Sequence, residues 1–98
     1  MDDEDQRALE VAIMAHPKGA PVMQGTGGLR KLRFAALHSG QGKSGGVRVC
    51  YCYFEQHAVV VLVLAYPKST KDNLTAVEKR QIKTLIEEIE TYLSERNR

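Results

Sequence analysis

The spacing of apolar positions changes three times along the chain. Between residues 2 and 15, Leu9, Ala12 and Ile13 recur at the interval of one helical face. The acids Asp2, Asp3, Glu4 and Asp5 crowd the first turn, where the positive end of the helix dipole favours them. His16-Pro17 stops this helix, because the proline ring disfavours helical backbone in the residue before it. Residues 18–28, with Pro21, Gly25, Gly27 and Gly28, read as a connecting loop. Alternation then takes over. Residues 29–36 predict a strand with Lys31 and Arg33 on one face and Arg30, Leu32 and Phe34 on the other. A glycine-rich hairpin loop at 38–46 leads to a second strand at 47–54. A short turn at Glu55-Gln56-His57 and a third strand at 58–66 follow. The run Val59-Val60-Val61-Leu62-Val63-Leu64 is apolar at every position, which predicts a strand covered on both faces and central in the sheet.

After Pro67 the period becomes helical. Thr75 followed three residues later by Glu78 is a capping box, in which each side chain meets a free backbone N–H of the first turn. Val77, Ile82, Leu85, Ile86, Ile89 and Leu93 then form the apolar side of a long helix expected to pack across one sheet face. The order is helix, three antiparallel strands, helix. This is an α+β fold, a small antiparallel sheet with an N-terminal helix and a long C-terminal helix, and 98 residues suffice for one such domain spanning 1–98.

Composition narrows the function. The longest apolar run is too short to cross a bilayer, and the acidic start at Asp2 is unlike a secretion signal, so a cytoplasmic protein is expected. Cys50 and Cys52 lie two residues apart on one strand, point the same way and have no third cysteine to join them, so they read as reduced packing residues. The net charge of +2 hides a segregation: residues 1–28 carry −3, whereas residues 29–71 carry +6, with Glu55 their only acid. Such an excess on the segment that reads as sheet suits a surface meeting phosphates, although a solvated basic face has the same composition. Gly25-Thr26-Gly27-Gly28 precedes a strand instead of joining a strand to a helix, so it reads as a structural turn and not a dinucleotide loop. Gly42-Lys43-Ser44 lacks the upstream glycine and the following helix of a P-loop. His16, His38 and His57 are scattered without neighbours at ligand spacing, which argues against a metal site or a histidine-pair nuclease.

Several spaced motifs agree in order: Gly25-Thr26-Gly27-Gly28-Leu29-Arg30-Lys31-Leu32-Arg33, Gly42-Lys43-Ser44-Gly45-Gly46-Val47-Arg48-Val49-Cys50-Tyr51, Leu64-Ala65-Tyr66-Pro67-Lys68, and Asn73-Leu74-Thr75 opening the last helix. Together they resemble the HigB-like branch of the RelE toxin family, over about residues 16–89. The resemblance implies a ribosome-dependent messenger RNA interferase. It also implies a cognate antitoxin, usually a helix-turn-helix protein, and no cofactor. Carried over by motif, the catalytic set falls on Lys31, Arg33, Arg48 and Lys68, with Arg30, Lys43, Tyr51 and Lys71 as further RNA contacts. RNA cleavage by its own 2′-hydroxyl needs a proton acceptor, positive charge around the phosphorane and a donor for the leaving 5′-oxygen. A lysine among guanidiniums can pass a proton in place of histidine, which casts Lys31 or Lys68 as base or acid. Guanidiniums hold their protons, which casts Arg33 and Arg48 as phosphate clamps.

The chain departs from that family in two ways. Some relatives place a tyrosine near the start of the last helix, where this chain has Asp72-Asn73-Leu74-Thr75, so that either Tyr51, Tyr53 or Tyr66 substitutes or no residue does. Relatives also carry a strand and a helix before the segment that begins here at Asp2. A sheet without that first strand has an open edge, which recruits another strand, a second copy of the chain among them, or is covered. Two other readings stay open: a toxin fold that no longer cleaves and only binds its antitoxin, and a gyrase-poisoning relative, which would have no need of the basic cluster.

Overall fold

The computed structural model describes residues 3–34, 46–67 and 73–96. It contains helix α1 (Asp3–Ala15), strands β1 (Leu29–Phe34), β2 (Val47–Phe54) and β3 (Val59–Pro67), and helix α2 (Ala76–Arg96), with a short 3-10 turn at Glu55–His57 between β2 and β3. The strands form one antiparallel sheet in the order β1-β2-β3. No helix among the described residues is long and apolar enough to cross a membrane.

Each face of the sheet carries its own core. On one face Leu29, Cys50, Cys52, Phe54 and Tyr66 pack with Leu74, Ile82 and Ile86 of the α2 segment. On the other, Val49 and Tyr51 pack with Leu9 and Ile13 of α1 and with Ala20. Burying a side chain such as Ile82 or Ile86 contributes about 2 kcal/mol, so α2 is held by its packing stripe. Its start is fixed by the expected box: the Thr75 N–H donates to Glu78 Oε1 at 2.8 Å and the Glu78 N–H donates to Thr75 Oγ1 at 3.1 Å. Val77 and Leu85, expected on the apolar side, are instead 53% and 43% exposed. Val77 lies five positions, about 140°, around the helix from Ile82, and Leu85 one position, about 100°, from Ile86, so both stand off the centre of the buried stripe. In α1 the buried positions are Asp5, Leu9 and Ile13, spaced by four, while Ala12 faces solvent.

The expectation that the third strand is central is corrected. Among the described residues β2 is the middle strand and β3 lies at an edge. The run is covered unevenly: Val59, Val61, Val63, Leu64 and Tyr66 join the core beneath α2 and Val60 the core beneath α1, whereas Leu62 is 44% exposed, so the expected cover on both faces is incomplete. A bulge also breaks strict alternation, because Cys50 pairs with Leu64 and Tyr51 with Leu62, leaving Val63 without a partner in the ladder. The strand begins at Val59; Ala58, with φ of 54°, closes the preceding turn in the left-handed conformation.

The loop after α1 is more ordered than its composition suggests. Val22 bridges Arg30, the Met23 N–H donates to the Leu29 carbonyl and the Lys31 N–H to the Pro21 carbonyl, so residues 21–23 run back along the outer edge of β1. The fully buried Thr26 fixes the turn that follows: its hydroxyl donates to the Met23 carbonyl at 2.7 Å and accepts the Leu29 N–H at 3.0 Å.

Candidate functional site

Strand alternation and register decide which basic residues meet. Arg33 pairs with Arg48 across β1 and β2, Lys31 pairs with Cys50 one step further along that face, and Arg48 pairs with Tyr66 on β3. Cys50 and Tyr66 belong to the core beneath α2, so Lys31, Arg33 and Arg48 share that face. Their environments differ. Arg33 is exposed and has no ion-pair or hydrogen-bond partner among the described residues, and Lys31 is half-buried. Arg48 is only 2% exposed, and both it and Lys31 already interact with other groups. Like charges directly opposite one another destabilise a sheet, so the Arg33 and Arg48 pairing is not explained by strand stability.

Tyr66 is the tyrosine on this face among the described residues. Of the three tyrosines open to that role, Tyr51 and Tyr53 lie on the α1 side. Tyr66 sits with Arg48 and interacts with the Cys50 thiol. Burial pushes the Cys50 thiol above its ordinary pKa, partly opposed by the charge of Lys31 and by the Tyr66 hydroxyl. Cys52 is likewise raised, by burial and by Glu90, with Arg30 opposing. Both are free, buried cysteines, and a thiol held neutral is a poor nucleophile.

Two residues expected to contact RNA have other surroundings. Tyr51 is 1% exposed, stands in the α1 core and donates its hydroxyl to the Pro17 carbonyl at 2.8 Å. Three positions from Arg48 on one strand, it must face the other way, a signal already readable in the sequence. Arg30 points to the same side as Leu32 and donates from Nη1 to the Lys18 carbonyl at 3.0 Å and the Ala20 carbonyl at 2.7 Å. Its guanidinium pins the loop after α1. Lys43, Lys68 and Lys71 lie outside the described residues.

Two cavities bear on the cluster differently. One, of about 930 Å³, lies between the Gly27-Gly28 turn and α2, with Glu87 and Glu90 in its wall. A smaller cleft of about 480 Å³ opens beside the outer edge of β1 and is lined by Lys31, Arg33 and His16. The cleft beside Arg33 is lined by cations and no carboxylate, whereas the larger cavity sets Glu55, Glu87 and Glu90 against Arg30, so the cleft suits a polyanion better.

An N-terminal helix, a three-stranded antiparallel sheet and a long C-terminal helix, with basic residues gathered on one sheet face, agree with a comparison to known families. Residues 3–96 match the family model described as the RelE toxin of the RelE/RelB toxin–antitoxin system. The chain therefore belongs to the RelE toxin family, the toxin partners of toxin–antitoxin pairs.

Proposed function

We propose that the protein is a ribosome-dependent endoribonuclease that cleaves messenger RNA in the decoding site, acts in the cytoplasm and is silenced by a cognate helix-turn-helix antitoxin. The observation that carries this reading is the cross-strand pair of Arg33 and Arg48, with Lys31 one step along the same face. In this mechanism the 2′-hydroxyl oxygen attacks the adjacent phosphorus and the bond from phosphorus to the 5′-oxygen breaks. A 2′,3′-cyclic phosphate and a 5′-hydroxyl result. Lys31 and Lys68 are the proton-transferring groups, taking the 2′ proton and returning one to the leaving oxygen. Arg33, exposed at the surface, binds the phosphate directly. Arg48, being buried, acts from beneath it: a fixed guanidinium in a poorly solvated position stabilises charge developing above it more strongly than a solvated one. Tyr66, beside Arg48, takes the place of the aromatic residue missing at the start of α2. The same reading includes self-association through β3, whose outer side has no neighbouring strand among the described residues.

The reading is tested by inducing the chain in cells and mapping messenger RNA 5′ ends. Cuts should appear inside translated codons and vanish when initiation is blocked. Growth inhibition without such cuts would refute ribosome-dependent cleavage and favour a protein target.

A further inference from the structure

The turn read from sequence as purely structural carries two lysines from α2. The Lys79 and Lys83 stems lie on Gly25 and Gly27: a Cβ at Gly27 would stand 3.1 Å from Lys83 Cγ, and one at Gly25 would stand 3.8 Å from Lys79 Cδ. Both glycines have positive φ, 80° and 78°, so the turn shows bare backbone where the lysines cross it. The buried Thr26 hydroxyl holds that backbone in place.

The charge pattern of α2 is unfavourable for an isolated helix. Lys79, Arg80 and Lys83 occupy its first half, and Glu87, Glu88, Glu90 and Glu95 its second, with Glu78 used in the cap. Cations near the positive end of the dipole and like charges four apart both destabilise a helix. Neither Lys79 nor Lys83 has an ion-pair partner among the described residues. Both lie on the flank that meets the glycine turn, and that turn runs directly into β1, which carries Lys31 and Arg33. Gly27 and Lys31 are four residues apart, at most about 14 Å of extended chain, so one short RNA strand can reach both places. Beyond Lys83 the flank turns acidic at Glu87 and Glu90, where a phosphate backbone would be repelled.

We propose that Lys79 and Lys83, seated on the Gly25–Gly28 turn, form a second phosphate-binding point that holds the RNA backbone away from the cut. The proposal rests on the nuclease reading only for the identity of the polyanion. Single-stranded RNA fits this place better than an acidic protein segment because the two lysine stems lie on a glycine turn whose chain runs within four residues into the strand that carries Lys31 and Arg33.

The test is equilibrium binding of a short single-stranded RNA, 2′-O-methylated throughout so that it cannot be cut, over a series of salt concentrations. Each phosphate contact contributes about 0.7 to the slope of log affinity against log salt for a single strand. The Lys79→Gln, Lys83→Gln double variant should therefore lower the slope by about 1.4 and weaken oligonucleotides of different sequence alike. Arg80→Gln, on the same helix but another flank, should leave the slope nearly unchanged, and thermal melting confirms that each variant is folded. An unchanged slope in the double variant overturns the proposal, as does an equal fall in Arg80→Gln. Weakened binding to poly-L-glutamate with RNA binding intact would assign the strip to an acidic protein and also overturn it. A wild-type protein that binds the oligonucleotide with the predicted slopes but does not cut ribosome-bound message would sink the nuclease reading and leave this one standing.

Discussion

On one side of the sheet, β1 and β2 present Leu32, Phe34, Val49 and Tyr51, and α1 closes over them; on the other, the same two strands present Lys31, Arg33 and Arg48 at the end of the core beneath α2. The contrast is sharpest within β1. Arg30 and Arg33 are chemically identical and three positions apart, yet Arg30 satisfies two backbone carbonyls of the preceding loop while Arg33 stands exposed without a partner among the described residues. A count of basic residues cannot separate a guanidinium that ties down a loop from one available to a phosphate; the face of the strand can. The α1 side is then a packing surface whose polar groups are internally satisfied, and the α2 side is where charge is concentrated beyond what packing explains.

The comparison breaks most readily at Arg48. Replacing it with alanine should slow cleavage about a hundredfold, the usual effect of removing one donor to a transition-state oxyanion. Because the side chain is buried and already engaged, the same change should also lower stability by about 3 kcal/mol. Arg48→Met separates these effects, since methionine keeps much of the stem's volume and loses the charge: it should restore most of the melting temperature and none of the cleavage. A fully active Arg48→Met would show that the residue serves packing alone.

On the α1 side, Tyr51→Phe removes one hydrogen bond to the Pro17 carbonyl and should cost about 1 kcal/mol in a denaturant titration, with RNA cleavage as in the wild type. A cleavage defect in a variant of undiminished stability would return Tyr51 to the site.

The smallest effect concerns the thiols beneath the basic face. Burial raises both pKa values, so the folded chain holds these protons more tightly than the unfolded chain. Their contribution to stability is complete below the ordinary thiol pKa, about 8.5, and is lost as pH rises through the higher folded values. The wild type should lose more stability between neutral and alkaline pH than a Cys50→Ala, Cys52→Ala variant, and iodoacetamide should label the folded protein slowly. Fast labelling at neutral pH would mean that the thiols are ionised or open to solvent.

Much of this arrangement was legible in the sequence where one local rule sufficed. The bounds of β2, the Thr75 and Glu78 capping box and the alternation that sets Lys31 and Arg33 together all follow from period and cap chemistry. The position of β3 was not, because apolarity on both faces identifies a strand between two layers and says nothing about which strands flank it. The burial of Arg48 and Asp5 was equally hidden, since both types are usually exposed and only tertiary packing covers them. Pairing of residues 21–23 with β1 depends on one bridge and a buried threonine, which a run of prolines and glycines does not announce. Lys79 and Lys83 carried no motif; their place on the glycine turn emerges only when α2 is laid on the sheet.

The central claim, that the α2 side of the sheet performs the chemistry and the α1 side supports it, is tested most directly by comparing Arg33→Ala with Arg30→Ala in single-turnover cleavage of labelled message on programmed ribosomes, with melting curves for both proteins. Arg33→Ala should slow cleavage about a hundredfold while changing stability by no more than about 0.5 kcal/mol, as for other exposed positions. Arg30→Ala should lose about 2 kcal/mol of stability as its two carbonyl contacts vanish, and its folded fraction should cleave at the wild-type rate. Wild-type cleavage by Arg33→Ala, or a stable Arg30→Ala that no longer cleaves, would contradict the assignment of the two faces.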